Sequence, residues 1–303
     1  MKILVTGGAG YLGSILVPEF LKRGHEVHVL DTFHGSGTSL LDCIESDRFH
    51  VTKGDCRDAR TLRPVVAWSD LIIPLAGLVG APACEKDQEF AKSVNLQAIR
   101  LLLSIRTTQP ILFPATDSGY GAGPSGGGVC TEDSLISPQS LYGQTKAEAE
   151  KAVLDSGNCV SFRLASLFGA SPRMRFDLLL HDFTRRAYRE RKMVLYEGAA
   201  VRNFIHIRDV AGAFILGLER FPDMRDRPFN VALTAESMPK AEICRLIGEF
   251  LPDFEWTEAP IASDPDRRDY QVSNARLMAL GWRPRYSIRD GITEVLKVCR
   301  MYM

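Results

Sequence analysis

Residues 7–13 read Gly7-Gly8-Ala9-Gly10-Tyr11-Leu12-Gly13. They follow a short apolar run at residues 3–5 and open residues 11–23, where apolar side chains recur at helical spacing. A strand that passes through glycines straight into a helix brings backbone N–H groups and a helix N-terminus to one point, and both attract phosphate. The alternative is a plain strand-to-helix turn. At the start of a βαβ unit, the pattern predicts a dinucleotide site formed by Gly7, Gly10, Tyr11, Leu12 and Gly13.

The rest of the first half alternates strands with helices. Strands are predicted at residues 26–30, 49–51, 70–76, 111–115 and 160–164, and helices from residue 58, at 85–105 and at 138–154. This alternation predicts an α/β fold with a Rossmann-type, doubly wound parallel sheet. After Gly169 the pattern becomes irregular, which predicts a smaller C-terminal substrate lobe. We therefore expect a cofactor domain at residues 1–168 and a lobe at 169–303, with 204–207 and 229–231 returning to the main sheet.

Composition excludes several other classes of protein. The 303 residues are 45% hydrophobic and 24% charged, and 37 basic residues balance 37 acidic ones. No nucleic-acid or membrane partner is expected from bulk charge, and no apolar run approaches a membrane span. The seven cysteines are scattered without zinc-type spacing, so we expect free thiols and no metal. Because a strand follows Met1-Lys2 at once, a signal peptide is not expected, and we predict a cytoplasmic protein.

Acidic residues after the second and third strands bear on the cofactor. Asp31 ends the second strand, where a carboxylate can accept hydrogen bonds from adenosine ribose hydroxyls and would repel a 2′-phosphate. NAD is therefore predicted over NADP. Asp55 follows the third strand and either contacts adenine or caps the next helix. The remaining positions expected to line the cofactor are Cys56, Leu75, Ala76 and Gly77.

The residues that favour oxidoreductase chemistry are Tyr142 and Lys146. They stand four positions apart in a predicted helix and so share one face. A phenol, with a pKa near ~10, is a poor base at neutral pH, but a nearby ammonium favours its phenolate form. The alternative is an ordinary exposed Tyr/Lys pair. Downstream of a nucleotide fingerprint, we expect Tyr142 to act as the base and Lys146 to assist it and to bind the cofactor.

Taken together, these motifs resemble the extended short-chain dehydrogenases, the NAD-dependent epimerase/dehydratase family that acts on nucleotide sugars. The resemblance places Thr116 at the family's catalytic Ser/Thr and implies that its hydroxyl holds the substrate hydroxyl. Family dehydratases read Thr-Asp-Glu here, whereas this chain reads Thr116-Asp117-Ser118. Because Ser118 replaces the Glu that acts as base, dehydration is not expected. Asp117 either acts as an acid or caps a turn, and all three residues are expected to face the substrate.

The second half resembles the same family around residues 202–210, 171–175 and 265–270. The resemblance implies that Arg202 and Arg268 grip the nucleotide diphosphate, and Arg173 and Arg175 add a basic cluster at the start of the lobe. A guanidinium suits phosphate because it can donate two parallel hydrogen bonds. For any one of these arginines alone, the alternative is a solvated surface charge. His206 is expected to support structure rather than chemistry.

The resemblance is greatest to bacterial GDP-heptose 4-dehydrogenases of capsule pathways. It implies an NAD-dependent oxidation at C4 of a nucleotide sugar, with a GDP-sugar favoured. A 4-epimerase is the alternative, made slightly weaker because Ser166 stands where epimerases commonly have a substrate-binding Asn. A non-catalytic NAD-binding regulator and an RNA-associated scaffold are further alternatives. Extended relatives pair through two helices, so we expect a homodimer joined by apolar residues at 94–103 and 147–153.

Overall fold

The computed structural model describes residues 1–35, 37–124, 128–259 and 270–303. The strands are β1 Lys2–Thr6, β2 Glu26–Asp31, β3 Phe49–Lys53, β4 Leu71–Pro74, β5 Ile111–Thr116, β6 Val129–Cys130, β7 Cys159–Leu164, β8 Ser166–Phe168, β9 Lys192–Tyr196, β10 Val201–Arg202, β11 Phe204–His206, β12 Arg227–Val231, β13 Met238–Pro239, β14 Glu255–Ala259 and β15 Gln271–Val272. The helices are α1 Gly13–Lys22, α2 Ala59–Trp68, α3 Ala81–Lys86, α4 Gln88–Lys92, α5 Ala98–Ile105, α6 Leu141–Asp155, α7 Leu179–Glu190, α8 Ile207–Glu219, α9 Phe221–Met224, α10 Lys240–Phe250, α11 Ala275–Ala279 and α12 Ile288–Tyr302.

Seven parallel strands form the main sheet in the order β12-β7-β5-β4-β1-β2-β3. The predicted α/β class and doubly wound sheet are confirmed. All the strands point the same way, so the carboxyl ends of β1, β2, β4 and β5 meet at one edge, where ligands bind in this architecture. β12 does return from the second half to this sheet, as expected for residues 229–231. The return of residues 204–207 is wrong, because β11 pairs instead with β8 in a separate two-stranded sheet.

Two apolar cores sandwich the main sheet, and a third fills the lobe. On one face Phe162 of β7 packs against Phe214 of α8, and on the other Phe113 of β5 lies in one cluster with Val153 of α6. The third core joins α7, α10 and α12 around the buried Phe168. Fully buried strands on both faces explain why β4 and β7 are continuous apolar or buried runs rather than alternating ones.

The single helix expected at residues 85–105 is broken. Asp87 leaves the helical conformation with φ −139° and ψ 77°, and its side chain accepts a hydrogen bond from the Phe90 N–H to start α4. A π-helical turn at Ser93–Gln97 then joins α4 to α5. Asp competes with helix propagation by capping backbone donors, which is the physical reason for the break. Within the described residues, no helix is both long and apolar enough to cross a membrane.

Candidate active site

The glycine turn at residues 7–13 lies close against the end of β2 and the loop after β4. Gly7 has a φ of +70° and donates to the Leu30 carbonyl at 2.8 Å, and a Cβ here would lie 2.5 Å from the backbone nitrogen of Ala76. At Gly13 a Cβ would lie 2.4 Å from the Gly8 carbonyl oxygen. The turn therefore excludes side chains at both positions, and α1 begins directly from it. This close backbone cradle with a helix N-terminus fits the diphosphate of a dinucleotide.

The Asp31 carboxylate is held beside this turn. One oxygen accepts the N–H of Ala9 at 2.9 Å and the other accepts the N–H of Phe33 at 2.8 Å. The Ser39 hydroxyl donates to the Ala9 carbonyl at 2.8 Å, which fixes the same loop from its other side. Asp31 is half-buried at the end of β2. Its position fits the predicted contact with ribose hydroxyls, which this fold places next to the glycine turn.

Asp55 does not cap the helix that follows it, and its predicted contact with adenine stays a prediction. Asp58, not Asp55, caps α2 by accepting the Arg60 N–H at 2.9 Å. The Asp55 carboxylate accepts hydrogen bonds from two nitrogens of the Arg57 guanidinium, with Nη2 at 2.6 Å. These bonds hold the Asp55 pKa below its usual range. The neighbouring Cys56 is half-buried, and burial raises the pKa of its thiol to about 11. A contact between Asp55 and adenine would therefore have to share the carboxylate with Arg57.

The loop after β4 carries Leu75, Ala76 and Gly77 and is fixed by a residue that sequence reasoning missed. Asn95, in the π-helical turn, accepts the Leu78 N–H at 2.8 Å and donates to the Leu78 carbonyl at 2.9 Å. A Cβ on Gly77 would lie 2.9 Å from the Asn95 oxygen. Only 2% of the Asn95 surface is exposed. A lone Asn in a predicted helix gives no signal of this role, because its partners come from another loop.

Thr116 ends β5 and starts a short 3-10 helix, Asp117–Tyr120. Its hydroxyl accepts the Ser118 N–H at 3.2 Å and donates to the Ser118 hydroxyl at 3.2 Å. Thr116, Asp117 and Ser118 are all buried, at 7%, 0% and 2% exposure. The serine therefore lies beside the predicted catalytic hydroxyl but offers only another hydroxyl. Of the three, Thr116 retains the most exposed surface.

Tyr142 and Lys146 occupy the first turns of α6, and both are half-buried. The Ser140 hydroxyl caps this helix by accepting the Gly143 N–H at 3.2 Å, and a Cβ on Gly143 would lie 3.0 Å from the Ser118 carbonyl oxygen. The start of the Tyr142 helix thus packs on the segment that carries Thr116. The Lys146 ammonium lies 4.4 Å from the centre of the Phe113 ring, and burial lowers its pKa to about 8. The structure therefore brings the elements of all three predicted catalytic residues together.

A buried ion pair behind α6 was not predicted. Glu150, one turn beyond Lys146, accepts Arg163 Nε at 2.9 Å and the Ser161 hydroxyl at 2.7 Å. Arg163 also donates to the Tyr120 hydroxyl at 3.0 Å. The pair thus joins α6 to β7 and to the 3-10 helix after Thr116. Its only sequence signal is the four-residue spacing from Lys146 to Glu150, since the partner arginine lies on another strand.

The described arginines predicted to bind substrate have different contacts. Arg175 contacts Asp177 and donates to the Val79 carbonyl at 3.4 Å, and its charge acts on the phenols of Tyr11 and Tyr142. Arg202 is only 3% exposed in β10. Arg173 reaches a different loop, the one after β2. Arg268 lies outside the described residues, and no group of three metal-ligating side chains occurs in the described part of the chain.

His206 supports structure, as expected. Its Nδ1 accepts the Arg208 N–H at 3.2 Å and so caps α8, while its ring stacks on Tyr286 at 4.1 Å. Its Nε2 lies 3.3 Å from the Glu294 carboxylate. These contacts use the ring for packing and for capping a helix.

A glycine turn at a strand end, together with a Tyr-x-x-x-Lys helix beside it, defines a nucleotide-dependent oxidoreductase site on a Rossmann-type sheet. The chain belongs to the NAD dependent epimerase/dehydratase family, whose model matches residues 3–232. That membership confirms the family expected from the sequence and the prediction of NAD as cofactor.

Individual relatives are more distant. The chain is 29% identical to the low-salt glycan biosynthesis protein Agl12 of Haloferax volcanii, over 96% of each chain. It is also 29% identical to a UDP-glucose 4-epimerase of Corynebacterium glutamicum, over 97% of this chain and 94% of the relative. Among solved structures, UDP-glucuronic acid 4-epimerase from Bacillus cereus superposes with a TM-score of 0.88 over 100% of both chains, at 22% identity. The structural likeness shows the shared fold.

Proposed function

We propose that this protein catalyses NAD-dependent hydride transfer at C4 of a nucleotide-activated sugar. The observation that carries the proposal is that the Tyr142 helix packs on the segment that carries Thr116. The Lys146 ammonium of the same helix lies over the ring of Phe113, in the strand that Thr116 ends. Bound NAD would supply the hydride acceptor. The residues that would hold it are the glycines of the turn, Asp31 and Lys146.

Each catalytic residue has a distinct task in this proposal. The Thr116 hydroxyl hydrogen-bonds the sugar hydroxyl and orients it toward Tyr142, whose phenolate oxygen takes the proton. Two positive groups favour that phenolate, the Lys146 ammonium on the same helix and the Arg175 guanidinium, whose charge acts on Tyr142. The lowered pKa of Lys146, about 8, still leaves most of it charged at neutral pH.

Two outcomes follow from the same first step. In a 4-epimerase the sugar turns and takes the hydride back, so the cofactor ends unchanged. This outcome is supported by the UDP-glucose 4-epimerase relative of C. glutamicum. In a 4-dehydrogenase the keto sugar leaves and NADH remains, an outcome supported by Ser166 and by the sequence resemblance to GDP-heptose 4-dehydrogenases. We put the epimerase first and keep the dehydrogenase as the second candidate.

The nucleotide is the least constrained part of the proposal. The sequence resemblance favours a GDP-sugar, a GDP-heptose in particular, for capsule or other surface polysaccharide. The epimerases that this chain resembles are named for UDP-sugars. Both bear a diphosphate, which Arg175 and Arg202 suit by charge. A UDP-sugar and a GDP-sugar panel must therefore be compared side by side.

A substrate carrying deuterium at C4 separates the two outcomes. An epimerase returns the label to C4 of the inverted product, whereas a dehydrogenase leaves it on the reduced cofactor. Both require the label to move, with a slower rate for the deuterated substrate when hydride transfer limits turnover. Tyr142→Phe is the inactive control. Loss of the label to solvent would contradict the proposal, because hydride transfer keeps the deuterium on the sugar or on the cofactor.

The homodimer expected from the resemblance stays a prediction, and its sequence argument needs correction. Most of the apolar residues expected at the interface lie in the core, with exposures of 0–7%: Val94, Leu96, Ile99, Leu102, Ala149 and Val153. The outer faces of α5 and α6 instead carry the Arg100–Glu148 ion pair at 3.5 Å. Light scattering at micromolar concentration tests the dimer directly, and a monomer would contradict it.

A further inference from the structure

Seven residues after β8 form a strap across the cofactor edge of the sheet. We define the strap as residues 169–175, which read Gly169-Ala170-Ser171-Pro172-Arg173-Met174-Arg175. One buried side chain ties both of its ends: Gly169 N–H donates to His181 Nε2 at 3.0 Å, and His181 Nδ1 donates to the Arg175 carbonyl at 2.6 Å. Because the two ends share one ring, the strap is a fixed loop.

The first half of the strap is bonded to the glycine turn. The Tyr11 hydroxyl donates to the Gly169 carbonyl at 2.7 Å, and the Ser171 hydroxyl donates to the Tyr11 carbonyl at 2.8 Å. The Ser171 and Ser14 hydroxyls are 2.8 Å apart. Ser14 belongs to the first turn of α1. The strap therefore lies over the helix N-terminus that faces a bound diphosphate in this fold.

Beyond Ser171 the strap reaches the loop after β2. A Cβ on Gly35 would lie 2.3 Å from Nη2 and 2.5 Å from Nε of Arg173, so the guanidinium rests directly on the glycine backbone. Gly35 stands four positions after Asp31. At the far end of the strap, Arg175 donates a hydrogen bond to the Val79 carbonyl in the loop after β4. Between residues 169 and 175 the strap thus touches all three loops that surround the dinucleotide groove.

We propose that Arg173 is a cofactor residue, whose guanidinium binds the diphosphate of NAD from the strap side and holds the cofactor between turnovers. A guanidinium fork suits a diphosphate. The Arg173 guanidinium lies on Gly35 of the loop after β2, and Ser171, two positions earlier in the strap, contacts Ser14 in the first turn of α1. Asp31 stands on the same loop and disfavours a 2′-phosphate as the alternative ligand. The inference rests on the proposed function only in taking NAD as the bound dinucleotide.

Fragments of the cofactor test which group Arg173 contacts. The variants are Arg173→Ala, Arg173→Lys, which keeps the charge without the fork, and the control Arg189→Ala at an exposed site in the same lobe. By calorimetry, Arg173→Ala should bind ADP and NAD at least tenfold more weakly and adenosine unchanged. Arg173→Lys should fall between, and the control should match the parent. Equal thermal unfolding of all four proteins verifies the fold.

Three results would overturn the assignment. Equal losses for adenosine and ADP would mean that Arg173 only shapes the loop after β2. Loss of affinity for 2′,5′-ADP but not for 5′-ADP would place the guanidinium at the ribose 2′ position. Weaker binding of UDP or GDP with unchanged NAD affinity would show that Arg173 binds the substrate nucleotide, as the sequence alone predicts.

Retention is measured as the rate at which bound NADH leaves after a chase with excess NAD. Arg173→Ala and Ser171→Ala should each speed release at least tenfold, because each removes one attachment of the strap or the cofactor. Unchanged rates in both would contradict retention. This readout involves no sugar, so it stands or falls separately from the chemistry at C4.

Discussion

Replacing His181 should remove a large part of the pH dependence of stability. The ring is fully buried and uses both nitrogens, one as acceptor from Gly169 and one as donor to Arg175. Protonation would destroy the acceptor, and burial disfavours the cation. Burial accordingly lowers the His181 pKa from 6.5 to about 4.

The sign and size of the effect follow from proton linkage. Between pH 6.5 and about 4 the unfolded chain holds a proton on this ring that the folded chain does not. The unfolded state therefore gains stability as the pH falls through that window, and the folded state loses its advantage. One pH unit corresponds to about 1.4 kcal/mol, so the whole interval amounts to about 3 kcal/mol.

The assay is urea unfolding of the parent and of His181→Gln at several pH values within this window. Gln can accept a hydrogen bond from one backbone group and donate one to the other without titrating. The free energy of unfolding of the variant should therefore fall by about 3 kcal/mol less than that of the parent on acidification. His34→Gln controls for loss of a histidine at an exposed position. The reasoning fails if His181→Gln and the parent lose the same stability from pH 6.5 to pH 4.

Three further changes test the site. Tyr142→Phe should lower turnover by about 10²–10⁴-fold and leave NAD affinity within about twofold, since only proton transfer is lost; near-normal kcat would refute Tyr142 as base. Turnover should fall as the pH rises through about 8, where Lys146 loses its proton, and a profile that keeps rising well beyond would contradict this. Gly7→Ala should destabilise the fold by about 2 kcal/mol or more, because its φ is +70° and a Cβ would meet Ala76. Gly248→Ala, with nothing within 4 Å, is its control and should be neutral or stabilising.

What the sequence could predict was local. The glycine turn, the buried strands and the Tyr142 helix are each encoded by residues close together in sequence, and the structure has each where it was expected. The helix at residues 85–105 was overpredicted because a capping aspartate looks like any polar residue in an apolar period. The return of β12 but not of β11 depends on which strand edge is open, which is a property of the folded sheet.

Partners distant in sequence account for other contacts that the sequence did not predict. Arg173 lies on Gly35, which is 138 positions away in sequence. Glu150 and Arg163 meet only because α6 packs on β7. Side chains with several rotatable bonds can reach several such partners, and the folded backbone determines which of them lie within reach. Residue type and spacing alone therefore do not determine these contacts.

The most direct test of the account is the mass and configuration of the product from a panel of UDP- and GDP-sugars incubated with the protein and NAD. Because Ser118 offers no base beside Thr116, the sugar should keep its water. We expect a product of unchanged mass with inverted C4 and no net NADH. A keto sugar formed with one equivalent of NADH would move the assignment to the dehydrogenase. A 4-keto-6-deoxy product, lighter by one water, would contradict the account.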